Sequence, residues 1–89
     1  MVEANLPFAP EEKERIYREL MVEKRIPEFP KQIERIGYED GCKVYFADRS
    51  FVICRFSGTE PLLRIFAEDQ TEAGAAALID CVKKALRIS

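Results

Sequence analysis

A polar turn between two apolar stretches carries the side chains in this chain that are best suited to chemistry. Arg55 precedes the turn, Ser57, Gly58 and Thr59 form it, and Arg64 follows it. Hydroxyls and closely spaced backbone N–H groups in such a turn can converge on one anion. An arginine guanidinium matches the oxygens of a phosphate two at a time. The pattern therefore predicts a phosphate-binding site made of these five residues.

The turn has a plainer interpretation, which its residue types alone leave open. Ser, Gly and Pro are common in turns of every function, and an arginine on a strand is usually a solvated surface residue. Either interpretation requires the turn to sit between paired strands.

Catalysis by the commonest side chains is excluded by composition. The chain has no histidine, so no Ser/His/Asp or Cys/His nucleophile can be assembled from it. The cysteines at 42, 54 and 81 lack the spacing of a metal site, and we expect them to be free thiols packed as small hydrophobic groups. We expect no catalytic residue and no metal ligand in this chain.

Hydrophobic spacing and turn residues predict a mixed helix and strand fold. The predicted elements are a helix over 10–25, strands over 33–38, 42–47, 51–56 and 62–68, and a helix over 72–87. Thr71 is the predicted cap of the last helix, and Gly41 is predicted at a turn position that tolerates a positive φ. Short turns between the strands require them to be antiparallel neighbours. We predict an α+β domain, with an antiparallel sheet of three to four strands and both helices packed on one sheet face.

The role of residues 1–9 is left open by their sequence. They are interpreted as a lead-in or hinge segment, as a tag remnant or as a first edge strand, and the domain proper is placed at 10–89. The period of two along 62–68 places Leu63, Ile65 and Ala67 on the core face and Arg64 on the opposite face. For Arg55 the face is undecided, because both faces of its strand are apolar.

Length and charge limit the classes of protein to which this chain can belong. An 89-residue chain with 47% hydrophobic residues is one small folded domain. With 14 basic against 16 acidic residues and a net charge of −2, it lacks the basic face of a nucleic-acid binder. No apolar run approaches the length of about 18 residues that a membrane span needs. The free thiols suit a reducing compartment, so we expect a cytoplasmic protein.

The string RFSGTEPLLRIFAE at 55–68 closely resembles the phosphate-binding loop in the last domain of the α-D-phosphohexomutases. These enzymes include phosphoglucomutase, phosphomannomutase, phosphoglucosamine mutase and phosphoacetylglucosamine mutase. The strings DGCKVYF at 40–46 and DRSFV at 48–52 resemble the family's lead-in to that loop. The similarity covers about residues 11–87 and is strongest over 40–68. Phe56 stands where the family often has Pro, a change that we expect to alter loop stiffness only.

The resemblance implies a fourth, C-terminal domain of TATA-binding-protein-like fold that clamps the substrate phosphate. The family interconverts hexose 1-phosphate and hexose 6-phosphate through a bisphosphorylated sugar. Its phosphoserine and its Mg²⁺ site lie in other domains, and neither motif occurs in this chain. The implied partners are a phosphosugar and three preceding domains, with a hinge around residues 5–10. Glu60 and Pro61 match the motif, and we expect the carboxylate of Glu60 to orient an arginine or to brace the loop.

The resemblance leaves two points open. The match is closest to phosphoglucomutase/phosphomannomutase sequences, but phosphoglucosamine mutases carry a very similar loop, so the hexose is undetermined. The alternative to an enzyme domain is a free-standing binding module that recognises a phosphorylated ligand. The isolated domain is expected to be inactive by itself.

Overall fold

The architecture is one five-stranded antiparallel sheet with its helices on one face. The computed structural model describes residues 1–88, and Ser89 of the predicted 10–89 domain lies outside the described residues. The strands are β1 Val2–Pro7, β2 Ile33–Gly37, β3 Cys42–Phe46, β4 Phe51–Phe56 and β5 Leu62–Glu68. The strand order is β1-β5-β4-β3-β2. The predicted fold class is confirmed, and the sheet has five strands instead of the predicted three to four.

Strand β1 is the addition, and it lies within residues 1–9, for which the sequence left a lead-in or hinge, a tag remnant and a first edge strand open. Six consecutive residues pair with β5, from Val2 opposite Ala67 to Pro7 opposite Leu62. Leu6 is buried in the core, which gives this edge strand an apolar anchor. A proline is tolerated here because an edge strand needs no donor on its outer side. The edge-strand alternative is therefore the one that the structure shows, and the predicted hinge overlaps a paired strand.

Alternation along β5 places the core on one side of the sheet, as predicted. Leu63, Ile65 and Ala67 are each fully buried. The second helix, α2 Glu72–Leu86, packs over β5, β1 and β4. Its buried side chains recur at helical spacing and are Ala75, Leu78, Ile79, Val82 and Leu86. The opposite sheet face carries no helix among the described residues, so its polar side chains can reach solvent or a ligand.

The first helical segment is shorter and less regular than the predicted helix over 10–25. A 3₁₀ turn at Pro10–Glu12 leads into α1 Lys13–Tyr17, which continues as a π-helical turn at Arg18–Val22. Lys24 then adopts a left-handed conformation with φ of 54° and ends the segment. Its two buried apolar side chains are Ile16 and Leu20, which join the same core as α2.

Both ends of α2 are capped. The side chain of Thr71, the predicted cap, accepts a hydrogen bond from the backbone N–H of Gly74 at 3.0 Å. At the other end, Arg87 is left-handed. Its guanidinium reaches Glu19 in the first helical segment at 2.9 Å, and Arg15 donates to the carbonyl of Leu86 at 3.2 Å. These contacts hold the two helical segments side by side on the sheet.

Lys31 forms ion pairs with two aspartates, Asp48 and Asp69, and we call this cluster of three residues the ionic clasp. The ammonium group of Lys31 lies 2.6 Å from a carboxylate oxygen of Asp48 and 2.7 Å from one of Asp69. Lys31 precedes β2, Asp48 lies in the β3–β4 turn and Asp69 follows β5. The hydrogen bonds from Lys31 hold the pKa of both carboxyl groups below their usual range.

We expect this clasp to make folding stability depend on acid pH. A carboxyl group whose pKa is lower when folded stabilises the protein above its unfolded pKa, and that contribution is lost as the pH falls through the folded value. The free energy of unfolding should therefore decline as the pH drops below about 4. Lys31→Met should flatten that decline, measured by urea unfolding between pH 6 and pH 2. An unchanged pH profile in the variant would contradict the role given to Lys31.

The expectation that the three cysteines are free thiols is confirmed. Cys42 and Cys54 are buried free thiols on strands, and Cys81 is a partly buried free thiol on α2. Burial raises the pKa of the Cys42 thiol to about 11, so it stays protonated and unreactive near neutral pH. Of the helices within residues 1–88, none has the length and apolar character to cross a bilayer.

Candidate functional site

The predicted phosphate loop occupies residues 57–61, between the end of β4 and the start of β5. The backbone N–H of Ser57 donates to the carbonyl of Leu62 at 3.1 Å, which closes the loop. The Ser57 hydroxyl oxygen accepts from the N–H of Thr59 at 3.3 Å and from that of Glu60 at 3.1 Å. Ser57 is buried, whereas Gly58 and Thr59 are exposed. The Ser57 side chain thus braces the loop from inside.

This bracing corrects one part of the predicted anion site. The sequence predicted several backbone N–H groups converging on an anion, but those of Ser57, Thr59 and Glu60 are bonded within the loop. The N–H of Gly58 makes no hydrogen bond with any residue of 1–88. The donors left for a ligand are that amide, the hydroxyl of Thr59 and the hydroxyl hydrogen of Ser57.

The position of Gly58 has a feature that the fold does not explain. A Cβ atom added there would meet no atom of the described chain within 4 Å, and its φ is not in the left-handed region. Neither packing nor backbone conformation requires a glycine at this place. The open space above Gly58 is therefore available to a group outside the chain.

Glu60 braces the loop through its backbone. Its N–H donates to Ser57, and its carbonyl accepts from the N–H of Leu62 at 2.8 Å. Its carboxylate forms no ion pair with a residue in the described range. The hydrogen bonds that brace the loop come from the Glu60 backbone, so neither role expected for its carboxylate is seen within residues 1–88.

The loop lines a shallow recess that the sequence did not predict. The recess measures about 180 Å³ and is lined by Pro10, Lys13 and residues 57–61. The N–H of Phe8, just after β1, donates to the carbonyl of Pro61 at 3.0 Å. This bond holds the start of the first helical segment against the loop. Lys13 was missed because its place beside the loop depends on the pairing of β1 with β5.

The two predicted arginines lie directly opposite each other on neighbouring strands. Arg55 of β4 and Arg64 of β5 are register partners in the antiparallel ladder, so both belong to the sheet face that no helix of residues 1–88 covers. This settles the face of Arg55, which its own strand left undecided. Both side chains are exposed. Two like charges at such a position repel each other unless an anion lies between or beside them.

The two arginines have different partners within the chain. Arg55 forms an ion pair with Asp40 at 3.0 Å, in which both side chains are about half exposed or more. Arg64 forms no ion pair with any residue in 1–88. Neither arginine lines the recess that contains Lys13. The structure therefore brings the five predicted residues to one end of the β4–β5 pair, with the hydroxyl-bearing loop and the arginines on adjoining surfaces.

Gly41 explains why Asp40 can reach Arg55. It has a φ of 94°, as predicted for the turn after β2, and a Cβ there would lie 2.2 Å from the carbonyl oxygen of Cys54. Only glycine allows the turn to approach β4 this closely. The close approach sets Asp40 beside the residue that follows Cys54. The sequence alone does not predict this ion pair, because the pair depends on how the turn folds against β4.

No metal site accompanies the loop in the described part of the chain. Within residues 1–88, no group of three or more Cys, Asp or Glu side chains is arranged so that it could hold a metal ion. The expected Mg²⁺ concerns another domain and stays a prediction.

Comparisons with known proteins agree with the fold. A relative, the probable phosphoglucosamine mutase of Methanosphaera stadtmanae, is 40% identical over 52 residues. That match covers 58% of this chain and 12% of the relative, so the chain corresponds to a small part of that enzyme's length. The family model described as phosphoglucomutase/phosphomannomutase, C-terminal domain, matches residues 3–85, which is nearly the whole chain and includes all five strands in full or nearly so. The chain therefore belongs to the family of phosphoglucomutase/phosphomannomutase C-terminal domains.

Proposed function

We propose that this domain binds the phosphate group of a phosphosugar within a larger phosphohexomutase. The enzyme would interconvert hexose 1-phosphate and hexose 6-phosphate through a bisphosphorylated intermediate. Family membership supports the reaction class, and the relative from Methanosphaera stadtmanae is named as a probable phosphoglucosamine mutase. The observation that carries the binding role is the opposed pair Arg55 and Arg64 beside a loop with free donors.

Each residue has a defined task in this proposal. The exposed guanidinium of Arg64 binds two phosphate oxygens, and Arg55 adds a second positive charge next to it. The hydroxyls of Ser57 and Thr59 and the N–H of Gly58 donate to the remaining oxygens. The missing Cβ at Gly58 lets the phosphate approach the backbone closely.

The contacts of this chain concern the phosphate and no sugar hydroxyl. We propose that they hold the phosphate that is not reacting, while three other domains supply the phosphoserine, a Mg²⁺ ion and the recognition of the sugar. A clamp of this kind accepts the bisphosphorylated intermediate in either orientation, since both of its ends are phosphates. The isolated chain would then bind ligand without turnover. Neither a nucleic acid nor a membrane has a part in this function, and the free thiols suit a cytoplasmic enzyme.

An NMR titration of the 89-residue chain with glucose 1-phosphate tests the binding role. We expect millimolar affinity, about −4 kcal/mol, because the contacts of the other domains are absent. The amide signals of residues 57–60 should shift first. If the largest shifts lie elsewhere, for example on α2, the loop is not the phosphate site.

The identity of the hexose requires the complete enzyme. The family description favours glucose and mannose phosphates, whereas the relative's name favours glucosamine phosphate. We propose phosphoglucomutase/phosphomannomutase activity, with phosphoglucosamine mutase activity as the alternative. Measuring kcat/KM of the full-length enzyme for the three hexose 1-phosphates decides between them. A full-length protein that converts none of them would favour a free-standing phosphate-binding module.

The ion pair of Arg55 with Asp40 leads to a further expected result. Asp40→Asn removes the carboxylate that neutralises Arg55, so the phosphate affinity of the chain should rise about two- to fivefold. The free energy of unfolding should change by less than about 1 kcal/mol, because the pair is exposed. Glu39→Gln, at the neighbouring exposed carboxylate, is the matched control and should leave the affinity unchanged. A weaker affinity in Asp40→Asn would mean that Asp40 positions Arg55 for binding.

A further inference from the structure

We infer that Lys13 is a third cation of the phosphate site and that it binds the anion from the recess beside the loop. The inference rests on the proposed phosphate-binding role and adds a residue to it. Lys13 lies 42 residues before the first residue of the sequence motif and on a different element.

The fold places Lys13 at the loop by a short chain of contacts. The pairing of β1 with β5 ends at Pro7 opposite Leu62, immediately after the loop. The next residue, Phe8, is hydrogen-bonded to Pro61 at the loop's end. The chain then turns into the 3₁₀ turn at Pro10–Glu12, and Lys13 follows at the start of α1. Lys13 and Pro10 are the two residues from outside the loop that line the recess.

The charges around the recess point to an anionic ligand. Lys13 is exposed and forms no ion pair with a residue of the described range. Lys13 is the one cation among the residues that line the recess. Neither arginine lines it, since Arg55 pairs with Asp40 and Arg64 lies on the open sheet face. An ammonium group carries three donors on a flexible stem and suits a phosphate oxygen as a point charge.

A phosphate above Gly58 then receives charge from two sides. Lys13 approaches from the helix-covered side of the sheet, and the arginines approach from the open side. The loop that lies between them supplies the hydroxyl and amide donors. The competing use of Lys13 is to neutralise the carboxylate of Glu60, which also lines the recess.

Titrations with inorganic phosphate test this role by a matched pair of variants. The dissociation constant is measured by NMR for the wild-type chain, Lys13→Gln and Lys84→Gln. Lys84 is an exposed lysine on α2 that forms no ion pair within the described residues. We expect Lys13→Gln to weaken binding about three- to tenfold, the range between an exposed ion pair and a hydrogen bond to a charged group. Lys84→Gln should stay within about twofold of wild type, and Lys13→Arg should restore most of the affinity.

A second pair of variants distinguishes the two roles of Lys13, binding of phosphate and neutralisation of Glu60. If Lys13 binds the anion, Lys13→Gln weakens binding by a similar factor when Glu60→Gln is also present. If its loss has no effect in the Glu60→Gln background, Lys13 serves Glu60 and the inference is wrong. Equal affinities of the Lys13→Gln and Lys84→Gln chains, with residues 57–60 still shifting, overturn the inference and leave the phosphate site intact. Phosphate that shifts no signal in residues 57–60 of the wild type overturns both.

Discussion

Arg64→Ala should lower kcat/KM of the full-length enzyme by about ten- to a hundredfold while this domain remains folded. A hydrogen bond between a charged donor and phosphate contributes about 1.5–3 kcal/mol, and its loss appears in kcat/KM when it is made to the transition state. The domain stays folded because Arg64 is exposed and forms no ion pair with a residue in 1–88. Its removal should change the free energy of unfolding by less than about 0.5 kcal/mol.

Lys43→Ala is the control for this prediction. Lys43 lies on β3 and faces the same open side of the sheet as Arg64, opposite Ile53 in the ladder. Lys43 carries the same charge as Arg64, but β4 lies between their two strands. Kinetics are measured with glucose 1-phosphate and stability by urea unfolding. Equal losses of kcat/KM in the two variants would show that any positive charge on this sheet face has the same effect. An unchanged kcat/KM in Arg64→Ala would show that Arg64 is a solvated surface residue.

Ile65→Ala should have the opposite profile, with a loss of about 2–5 kcal/mol in the free energy of unfolding. Ile65 follows Arg64 in β5, but its side chain is fully buried on the core face. The loss combines the transfer of apolar atoms with the cavity they leave. Since the free energy of unfolding of a small domain is about 5–15 kcal/mol, the variant would lose a large part of its stability.

Ile53→Ala is the matched control, because the same atoms are removed from the open sheet face. Ile53 is only half-buried and lies opposite Phe66, with no helix above it. We expect a loss of about 1 kcal/mol, measured by urea unfolding at pH 7. Equal losses for the two isoleucines would contradict the assignment of the two sheet faces.

Local patterns were sufficient to predict most of the elements. The period of two in 62–68 gave the correct core face, and Thr71 marked the start of α2. Turn chemistry placed Gly41 at a positive φ. These features depend on interactions within a few residues, and such interactions are legible in one sequence.

Features that depend on distant parts of the chain were left open or missed. Val2, Ala4 and Leu6 alternate with polar residues, but the run is short and its partner lies about 60 residues away. The end of the first helical segment was placed too late, because the left-handed conformation of Lys24 has no signal in its residue type.

The candidate site shows the same division. The motif residues 55–64 are close in sequence, and the structure keeps them at one end of two paired strands. Asp40 and Lys13 reach that end through a neighbouring turn and through β1. The direction of Arg55 was undecided because both faces of β4 are apolar, and only its register with β5 fixes it.

A crystal structure of the chain soaked with glucose 1-phosphate tests the central claim most directly. We predict the phosphate group above Gly58, with its oxygens about 2.7–3.2 Å from the guanidinium of Arg64, the N–H of Gly58 and the hydroxyl of Thr59. The sugar should extend away from the domain, because this chain contributes contacts to the phosphate alone. Phosphate bound elsewhere, with the loop and Arg64 unoccupied, would contradict the account.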